Sequence, residues 1–152
     1  CFIEGTKILA VNGYKEIQNI EPGDLVISFN NDTNSVEIKE VVTKFISKND
    51  NLYKIYIEDE TNPIIVSHDH RIFVKGKGYV EVNKISISDE FIDDKGDIVG
   101  IKDIVQMKTS GTRVYNIEVK DNHNYFVSEQ NILAHNLKIR NRPGGPIGGG
   151  VF

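Results

Sequence analysis

Residues 53–57, YKIYI, and residues 115–119, YNIEV, are two copies of one pattern in a chain of 152 residues. β-Branched and aromatic residues alternate with polar ones, which is the period of a half-buried β-strand. The same alternation predicts strands at Lys7–Val11, Leu25–Phe29, Val36–Ile46, Leu52–Glu58, Ile98–Met107 and Val114–Val119. No window of a dozen residues keeps a 3.6-residue period, so helix is limited to single turns at Ile17–Ile20 and Val82–Ile85. The pattern predicts an all-β protein.

The two halves of the chain also repeat each other in order. At an offset of 65 residues the glycines, tyrosines, glutamates and aspartates coincide, and the offset shrinks to 63 and then 62 further along. The matched pairs include Gly13 with Gly78, Tyr14 with Tyr79, Glu16 with Glu81, Asp24 with Asp89, Ile8 with Phe73 and Leu9 with Val74. Because two copies are too few for a solenoid, we predict one pseudo-twofold β domain with a site shared between its halves.

Composition divides the chain into a body and a flank. Residues 137–152 contain five of the thirteen glycines, two of the four prolines, three basic residues and no acid, and we interpret them as a flexible flank. Residues 1–136 then form one domain with fifteen basic and twenty-two acidic residues, a net charge of −7, which argues against nucleic acid as a partner. No apolar run has the length of a bilayer span and no signal-peptide pattern opens the chain, so we expect no membrane partner. We expect a monomer.

The only cysteine stands at position 1, which excludes an internal disulfide and a cysteine-rich zinc site. A chain that begins with Cys1 was either trimmed or belongs inside a longer precursor, so we expect this cysteine to mark a boundary. A cysteine at a junction can attack the preceding carbonyl and convert the amide into a thioester. The departing nitrogen needs an acid, for which His70 is the candidate, while the Ser67 hydroxyl can hold the amide or water in place.

An asparagine can break the chain at the other end of the body. The side-chain amide of Asn136 can attack its own backbone carbonyl, close a succinimide ring and cleave the bond to Leu137. Amide nitrogen is a poor nucleophile, so the carbonyl must be polarised and protons moved. His135 and His123 are available for that work.

Other interpretations of these residues are structural. Each histidine or serine taken alone is more often a satisfied structural residue than a catalyst, and free cysteine is usually an inert buried residue. His68 and His70 would lie on one face of a strand and could bind zinc, but no further ligand is placed by spacing. We therefore predict no metal and no cofactor.

Taken together, four short blocks of sequence resemble the conserved blocks of the Hedgehog/intein (Hint) superfamily. Cys1 opens the chain, and the other blocks are VSHDH at 66–70, VYNIEV at 114–119 with HNYF at 123–126, and ILAHN at 132–136. The resemblance covers residues 1–136 and is strongest to bacterial intein-like domains of type A. It implies a horseshoe-like, twisted all-β fold with pseudo-twofold symmetry, and autocatalytic protein splicing or cleavage without multiple turnover.

The resemblance also implies roles for individual residues. Cys1 matches the nucleophile of an N–S acyl shift, His70 the histidine that activates the upstream bond, and Ser67 the usual threonine of that motif. In the later blocks the matching residues are His123, the penultimate His135 and the cyclising Asn136.

Two positions depart from the family pattern. Asn116 stands where many inteins have aspartate, so it can position groups by hydrogen bonding but cannot act as a carboxylate. Leu137 stands where inteins have a nucleophilic Cys, Ser or Thr, so no branched intermediate can form. We predict cleavage at both junctions, with water, an external thiol or an amine as acyl acceptor and splicing as a minor product.

Two other functions compete with self-cleavage. Hedgehog-type processing does not need the terminal pair, so His135 and Asn136 argue against it. The alternative from another class is a degenerate Hint fold that serves as a non-catalytic binding or spacer module, which Asn116 and Leu137 favour. The body has no room for a homing endonuclease. By resemblance, the partners are the flanking polypeptides, and the host is a bacterial secreted or surface precursor.

Overall fold

The protein is described here by a computed structural model that covers residues 1–135; Asn136 and the flank 137–152 lie outside the described residues. The described chain forms one continuous twisted sheet. Its strands are β1 (Phe2–Ile3), β2 (Lys7–Ala10), β3 (Gly13–Glu16), β4 (Leu25–Asn30), β5 (Ser35–Ile57), β6 (Ile64–Ser67), β7 (Arg71–Val74), β8 (Gly78–Glu81), β9 (Glu90–Ile92), β10 (Ile98–Val119), β11 (Asn124–Val127) and β12 (Ile132–His135). Two single 3₁₀ turns form at Ile17–Asn19 and Val82–Lys84, where the sequence predicted helical turns. The all-β prediction is confirmed.

The predicted duplication is confirmed by the order of the elements. Each half contains a hairpin, a 3₁₀ turn, a short strand and a long strand: β2 to β5 in the first half and β7 to β10 in the second. The turn before β4 and the turn before β9 contain the same side-chain hydrogen bond. The Asp24 carboxylate accepts a hydrogen bond from the backbone N–H of Glu21 at 2.9 Å, and Asp89 accepts one from Ser86 at the same distance.

One detail of the repeat differs from the sequence alignment. In the first hairpin Ala10 pairs with Gly13, and in the second Val74 pairs with Gly78, so the second hairpin loop is one residue longer. The offset between β2 and β7 is therefore 64 residues, and Ile8 corresponds to Ile72 rather than to Phe73. Both isoleucines are fully buried.

The two long strands were each predicted as two shorter ones, which was wrong. β5 and β10 pair along most of their length, from Ile57 with Ile101 to Val41 with Val119, with register shifts at three points. The polar residues 47–51 and 108–113 fall between the predicted strands. In the structure most of them belong to the β5–β10 ladder, where Asn51 pairs with Lys108, Asn49 with Thr112 and Lys48 with Arg113. This part of the ladder is exposed or half-buried, which agrees with its polar sequence.

Two elements bring the halves together. β1 lies between β6 and β10, with Phe2 opposite both Val66 and Tyr115. The β11–β12 hairpin pairs with β2 of the first half through Val127 and with β7 of the second through Ala134. A single core of buried isoleucine, valine and aromatic side chains runs beneath both halves. Within residues 1–135 no helix is long and apolar enough to cross a membrane.

Candidate active site

Cys1 is held at the end of β1 by contacts with the second half. Its amino group donates a hydrogen bond to Ser67 Oγ at 2.9 Å and also contacts His70 Nδ1. Its carbonyl accepts a hydrogen bond from the backbone N–H of Ser67 at 2.8 Å. The cysteine is half-buried. Three of the predicted site residues, Cys1, Ser67 and His70, therefore lie together.

Ser67 and His70 lie at the two ends of a tight turn between β6 and β7. Ser67 is the last residue of β6, and the N–H of His70 donates to its carbonyl at 3.2 Å. Both residues are buried, and the His70 ring packs against Phe2 with ring centroids 4.6 Å apart. The prediction that His68 and His70 share a face of a strand was wrong, because the chain turns at this point.

Asn116 lies in β10, next to the residue that pairs with Phe2. Continuing the β1–β10 register by one residue places Asn116 beside Cys1, while Ser67 lies on the other side. Asn116 is buried, and its Oδ1 accepts hydrogen bonds from Tyr125 Oη at 2.7 Å and from the Ile117 N–H at 3.0 Å. Because both donors bind the amide oxygen, they fix which end of the side-chain amide is Oδ1. The NH₂ group, a hydrogen-bond donor, is therefore at the opposite end.

His135 ends β12 at the edge of the same region. Since Ala134 pairs with Ile72, the register puts His135 opposite Arg71, the residue after His70. The pKa of His135 is lowered to about 4, mainly by burial and in smaller part by electrostatic repulsion from the nearby His123 and Arg71. His135 is therefore a neutral imidazole at neutral pH. His123 is an exposed residue at positive φ in the turn before β11.

Sequence reasoning missed a tyrosine and an asparagine that pack behind His135. The Tyr79 ring meets the His135 ring edge-on with centroids 4.7 Å apart, and Asn124 Nδ2 donates to Tyr79 Oη at 3.1 Å. Tyr79 was visible in the repeat as the partner of Tyr14. Nothing in the alternation pattern distinguishes it from other strand tyrosines, so proximity to His135 was not predictable.

The predicted residues thus form two neighbouring groups. Cys1, Ser67, His70 and Asn116 make up one, and His123 and His135 make up the other, joined through Arg71. Asn136 lies outside the described residues. No set of three or more His, Cys, Asp and Glu side chains is arranged to hold a metal ion in residues 1–135.

Comparison with known proteins identifies this arrangement. Over residues 7–141 the sequence matches the family described as the pretoxin Hint domain. The chain belongs to this family. The Hint fold is also found in solved structures. The bacterial intein-like domain from Clostridium thermocellum is 32% identical, with 89% of this chain and 97% of that domain covered and a TM-score of 0.84.

Inteins have the same fold as this Hint domain. The gp41-1 intein is 28% identical over 89% of this chain and 97% of its own, with a TM-score of 0.72. A DnaB intein from Synechocystis sp. PCC 6803 shares the fold at 19% identity, with 90% of this chain and 99% of the intein covered and a TM-score of 0.74. No curated protein matches the sequence. Membership assigns this Hint domain to autocatalytic protein processing in general, and the predicted resemblance is confirmed.

Proposed function

We propose that this domain cleaves its own chain at both junctions, by an N–S acyl shift at Cys1 and by cyclisation of Asn136, with splicing as a minor product. The observation that carries the proposal is the position of the Cys1 nitrogen, which lies against His70 Nδ1 and 2.9 Å from Ser67 Oγ. In a precursor this nitrogen would be the amide nitrogen of the scissile bond. The amino group of Cys1 stands in for that atom here.

The upstream step exchanges a C–N bond for a C–S bond. Cys1 Sγ attacks the carbonyl carbon of the preceding residue as the thiol gives up its proton, and the C–N bond then breaks as the nitrogen gains one. Loss of an unprotonated amide nitrogen is slow, so an acid at that nitrogen accelerates the reaction. We assign this proton delivery to His70, whose turn and packing against Phe2 fix its ring at the nitrogen.

Ser67 and Asn116 flank the reacting residue in the β1 register. We assign both to positioning: Ser67 Oγ accepts from the scissile nitrogen in the ground state, and its backbone N–H holds the Cys1 carbonyl. With the Asn116 oxygen engaged by Tyr125 and Ile117, its NH₂ is a hydrogen-bond donor for the developing oxyanion. A carboxylate could not donate in this way.

The downstream step needs no external nucleophile. Asn136 Nδ2 attacks its own carbonyl carbon, the bond to Leu137 breaks, and the proton lost by Nδ2 balances the one gained by the Leu137 nitrogen. We assign the proton transfer to the neighbouring His135, with His123 assisting. His135 is neutral because of its lowered pKa, so it can accept a proton at neutral pH.

The acyl chain on Cys1 has three fates. Water hydrolyses the thioester, an added thiol exchanges with it, and the Leu137 amine freed by cyclisation attacks it to give the minor spliced product. Leucine at position 137 carries no side-chain nucleophile, so transfer to that residue before cyclisation is excluded. Because each step consumes a peptide bond of the protein itself, the reaction is a single turnover and the substrates are the flanking polypeptides.

The proposal is tested with the domain placed between two different tags and incubated with and without a small thiol. Intact masses are followed over days. We expect a thiol-dependent release of the upstream tag. This release should be abolished in Cys1→Ala and unchanged in Asn136→Ala. We also expect a body fragment that ends at Asn136 and is one water lighter than the free acid, abolished by Asn136→Ala.

The variants separate the proposed function from its rival. A precursor that stays intact with and without thiol supports a non-catalytic module and contradicts the proposal. Release of the upstream tag that persists in Cys1→Ala would show cleavage by another route, such as proteolysis. A fragment ending at Asn136 with the mass of the free acid throughout would contradict cyclisation.

A further inference from the structure

Tyr79 lies in β8 with its ring between two others. It meets Phe73 edge-on with centroids 5.4 Å apart and interplanar angle 84°, and it meets His135 at 4.7 Å and 67°. An edge-to-face contact restricts the tilt of both rings because the positive edge of one faces the negative face of the other. The Tyr79 ring therefore forms one wall of the space occupied by the His135 imidazole.

The hydroxyl end of Tyr79 is tied to Asn124, a fully buried asparagine whose orientation is fixed. Asn124 Oδ1 accepts from the Phe29 N–H at 2.8 Å and from Ser28 Oγ at 2.7 Å, so the oxygen cannot exchange places with the nitrogen. Asn124 Nδ2 consequently faces the Phe29 carbonyl at 3.0 Å and Tyr79 Oη at 3.1 Å. Every polar position of this buried amide is used, which makes it a rigid anchor.

The same anchor is connected to His135 through the backbone. Asn124 pairs directly with His135 across the β11–β12 hairpin. Two contacts therefore constrain His135: strand pairing with the main chain of Asn124, and ring contact with Tyr79. The ionisable groups that act on its pKa are Arg71 of β7 and His123 of the turn before β11.

We infer that Tyr79, anchored by Asn124, is a positioning residue that holds His135 in the orientation required for cleavage after Asn136. This inference rests on the proposed function. A neutral imidazole has one donor nitrogen and one acceptor nitrogen, so its orientation decides which of them faces the reacting amide. Small errors of placement at such a site cost large factors in rate. Tyr79 touches no reacting group in this scheme and acts only through His135.

The first half of the molecule supplies a matched control. Tyr14 occupies the position in β3 that Tyr79 occupies in β8, with its hydroxyl donating to Asn131 Oδ1 at 2.6 Å. Tyr14 is 41% exposed. Substitution of Tyr14 therefore removes the same side chain from an equivalent strand without touching His135.

The experiment measures both junctions separately in the tagged protein. Downstream cleavage is followed in a Cys1→Ala background and thiol-induced upstream cleavage in an Asn136→Ala background, by intact mass. Tyr79→Leu should slow downstream cleavage about tenfold or more, and Tyr79→Phe, which keeps the ring, about threefold. Upstream cleavage should stay within about twofold in both, as should both steps in Tyr14→Leu and Tyr14→Phe.

The pH profile gives a readout that general loosening of the fold would not move. Without the Tyr79 ring, His135 is more exposed, so its pKa should rise from about 4 toward the ordinary value of about 6.5. The deficit of Tyr79→Leu in downstream cleavage should then be larger near about pH 5 than near about pH 8, with an NMR titration of His135 shifted in parallel.

Three results would overturn the inference. Normal downstream cleavage in Tyr79→Leu shows that the ring is not needed, and equal slowing of both junctions at every pH shows a merely structural role. If the unsubstituted protein does not cleave after Asn136, the proposed function fails and the inference fails with it. This outcome differs from failure of the inference alone, because it is seen without any substitution at Tyr79. Should Tyr79→Leu not fold, Tyr79→Phe decides: a loss of about threefold confined to the downstream junction supports the inference, and a downstream rate equal to that of the unsubstituted protein overturns it.

Discussion

Thr6 and His70 occupy the same place in the two halves of the molecule. The N–H of each donates to the carbonyl three residues earlier, Ile3 in one half and Ser67 in the other. The carbonyl of each accepts from the first residue of the 3₁₀ turn, Ile17 or Val82, at 2.8 and 2.9 Å. The backbone is therefore duplicated, whereas the chemistry is not.

The difference between the halves arises from the side chain and from the path of β1. Thr6 Oγ1 donates to the Ile3 carbonyl at 2.8 Å, so its polar atom is used within its own turn. His70 instead contacts the amine of Cys1, because β1 pairs with β6 and β10 and carries the start of the chain to the second half. All four histidines of the chain follow residue 67. One copy of the repeat thus supports the fold while the other carries the proposed site.

The largest expected effect separates these two residues. His70→Ala should slow thiol-induced upstream cleavage about 100-fold or more, since it removes the acid at the scissile nitrogen. Thr6→Ala, the matched control, should leave the rate within about threefold while it costs about 1 kcal/mol of stability. Tag release followed by mass gives both rates.

Downstream cleavage tests the assignment of His70 to one junction. His70→Ala should affect cleavage after Asn136 much less than tag release. Equal slowing of the two steps would count against the role, and a similar effect of Thr6→Ala would remove the functional difference between the halves.

Asn116 is buried, whereas its counterpart in the first copy, Lys54, is only half-buried. Asn116→Ala leaves the buried Tyr125 hydroxyl without its 2.7 Å acceptor, which should lower the free energy of unfolding by about 1–3 kcal/mol. Lys54→Ala should change it by less than about 0.5 kcal/mol. Urea unfolding measures both, and equal losses would show that the buried hydrogen bond adds nothing.

Much of this comparison was accessible from the sequence. Alternation predicted the all-β class, the matched Asp24 and Asp89 revealed the duplication, and resemblance of short blocks brought Ser67, His70 and Cys1 together. The remaining elements were not accessible, because strands of two to four residues such as β1 and β8 are too short for a period and form only by pairing with distant segments.

The extra residue in the second hairpin loop and the continuity of β5 and β10 were missed for a similar reason. Both depend on pairing with another strand, and the sequence of one segment alone does not show how that segment pairs. Tyr79 and Asn124 illustrate the limit for the site. Their importance comes from contact with His135, and only the fold creates that contact.

The stability of the protein should depend on pH through His135, a half-buried histidine with no counterpart in the first half of the chain. The folded pKa of His135, about 4, lies below its unfolded value of about 6.5, so its contribution to stability is present above about pH 6.5 and is lost as the pH falls toward 4. The unsubstituted protein should lose about 2 kcal/mol more than His135→Gln across this window. Denaturant unfolding at several pH values checks this, and parallel curves for the two proteins would contradict it.

The smallest expected effect concerns the two duplicated turns. The pKa of Asp24 is lowered by the backbone N–H of Glu21 and then by Lys15, and the pKa of Asp89 by Lys77 and then by the backbone of Ser86. Each aspartate to asparagine change should cost about 1 kcal/mol or less, with the more buried Asp89 costing more. A larger loss at Asp24 in thermal or urea unfolding would reverse the order.

The central claim is that the second half makes Cys1 a reactive junction, and the mass of the upstream segment released by a small thiol tests it most directly. We predict a segment that carries one thiol molecule as a thioester at its carboxyl end, formed by the unsubstituted protein and by Thr6→Ala, but absent from Cys1→Ala and strongly reduced in His70→Ala. A precursor that remains uncleaved in thiol over days, or a released segment without the thiol adduct that forms equally well in Cys1→Ala, would contradict the account.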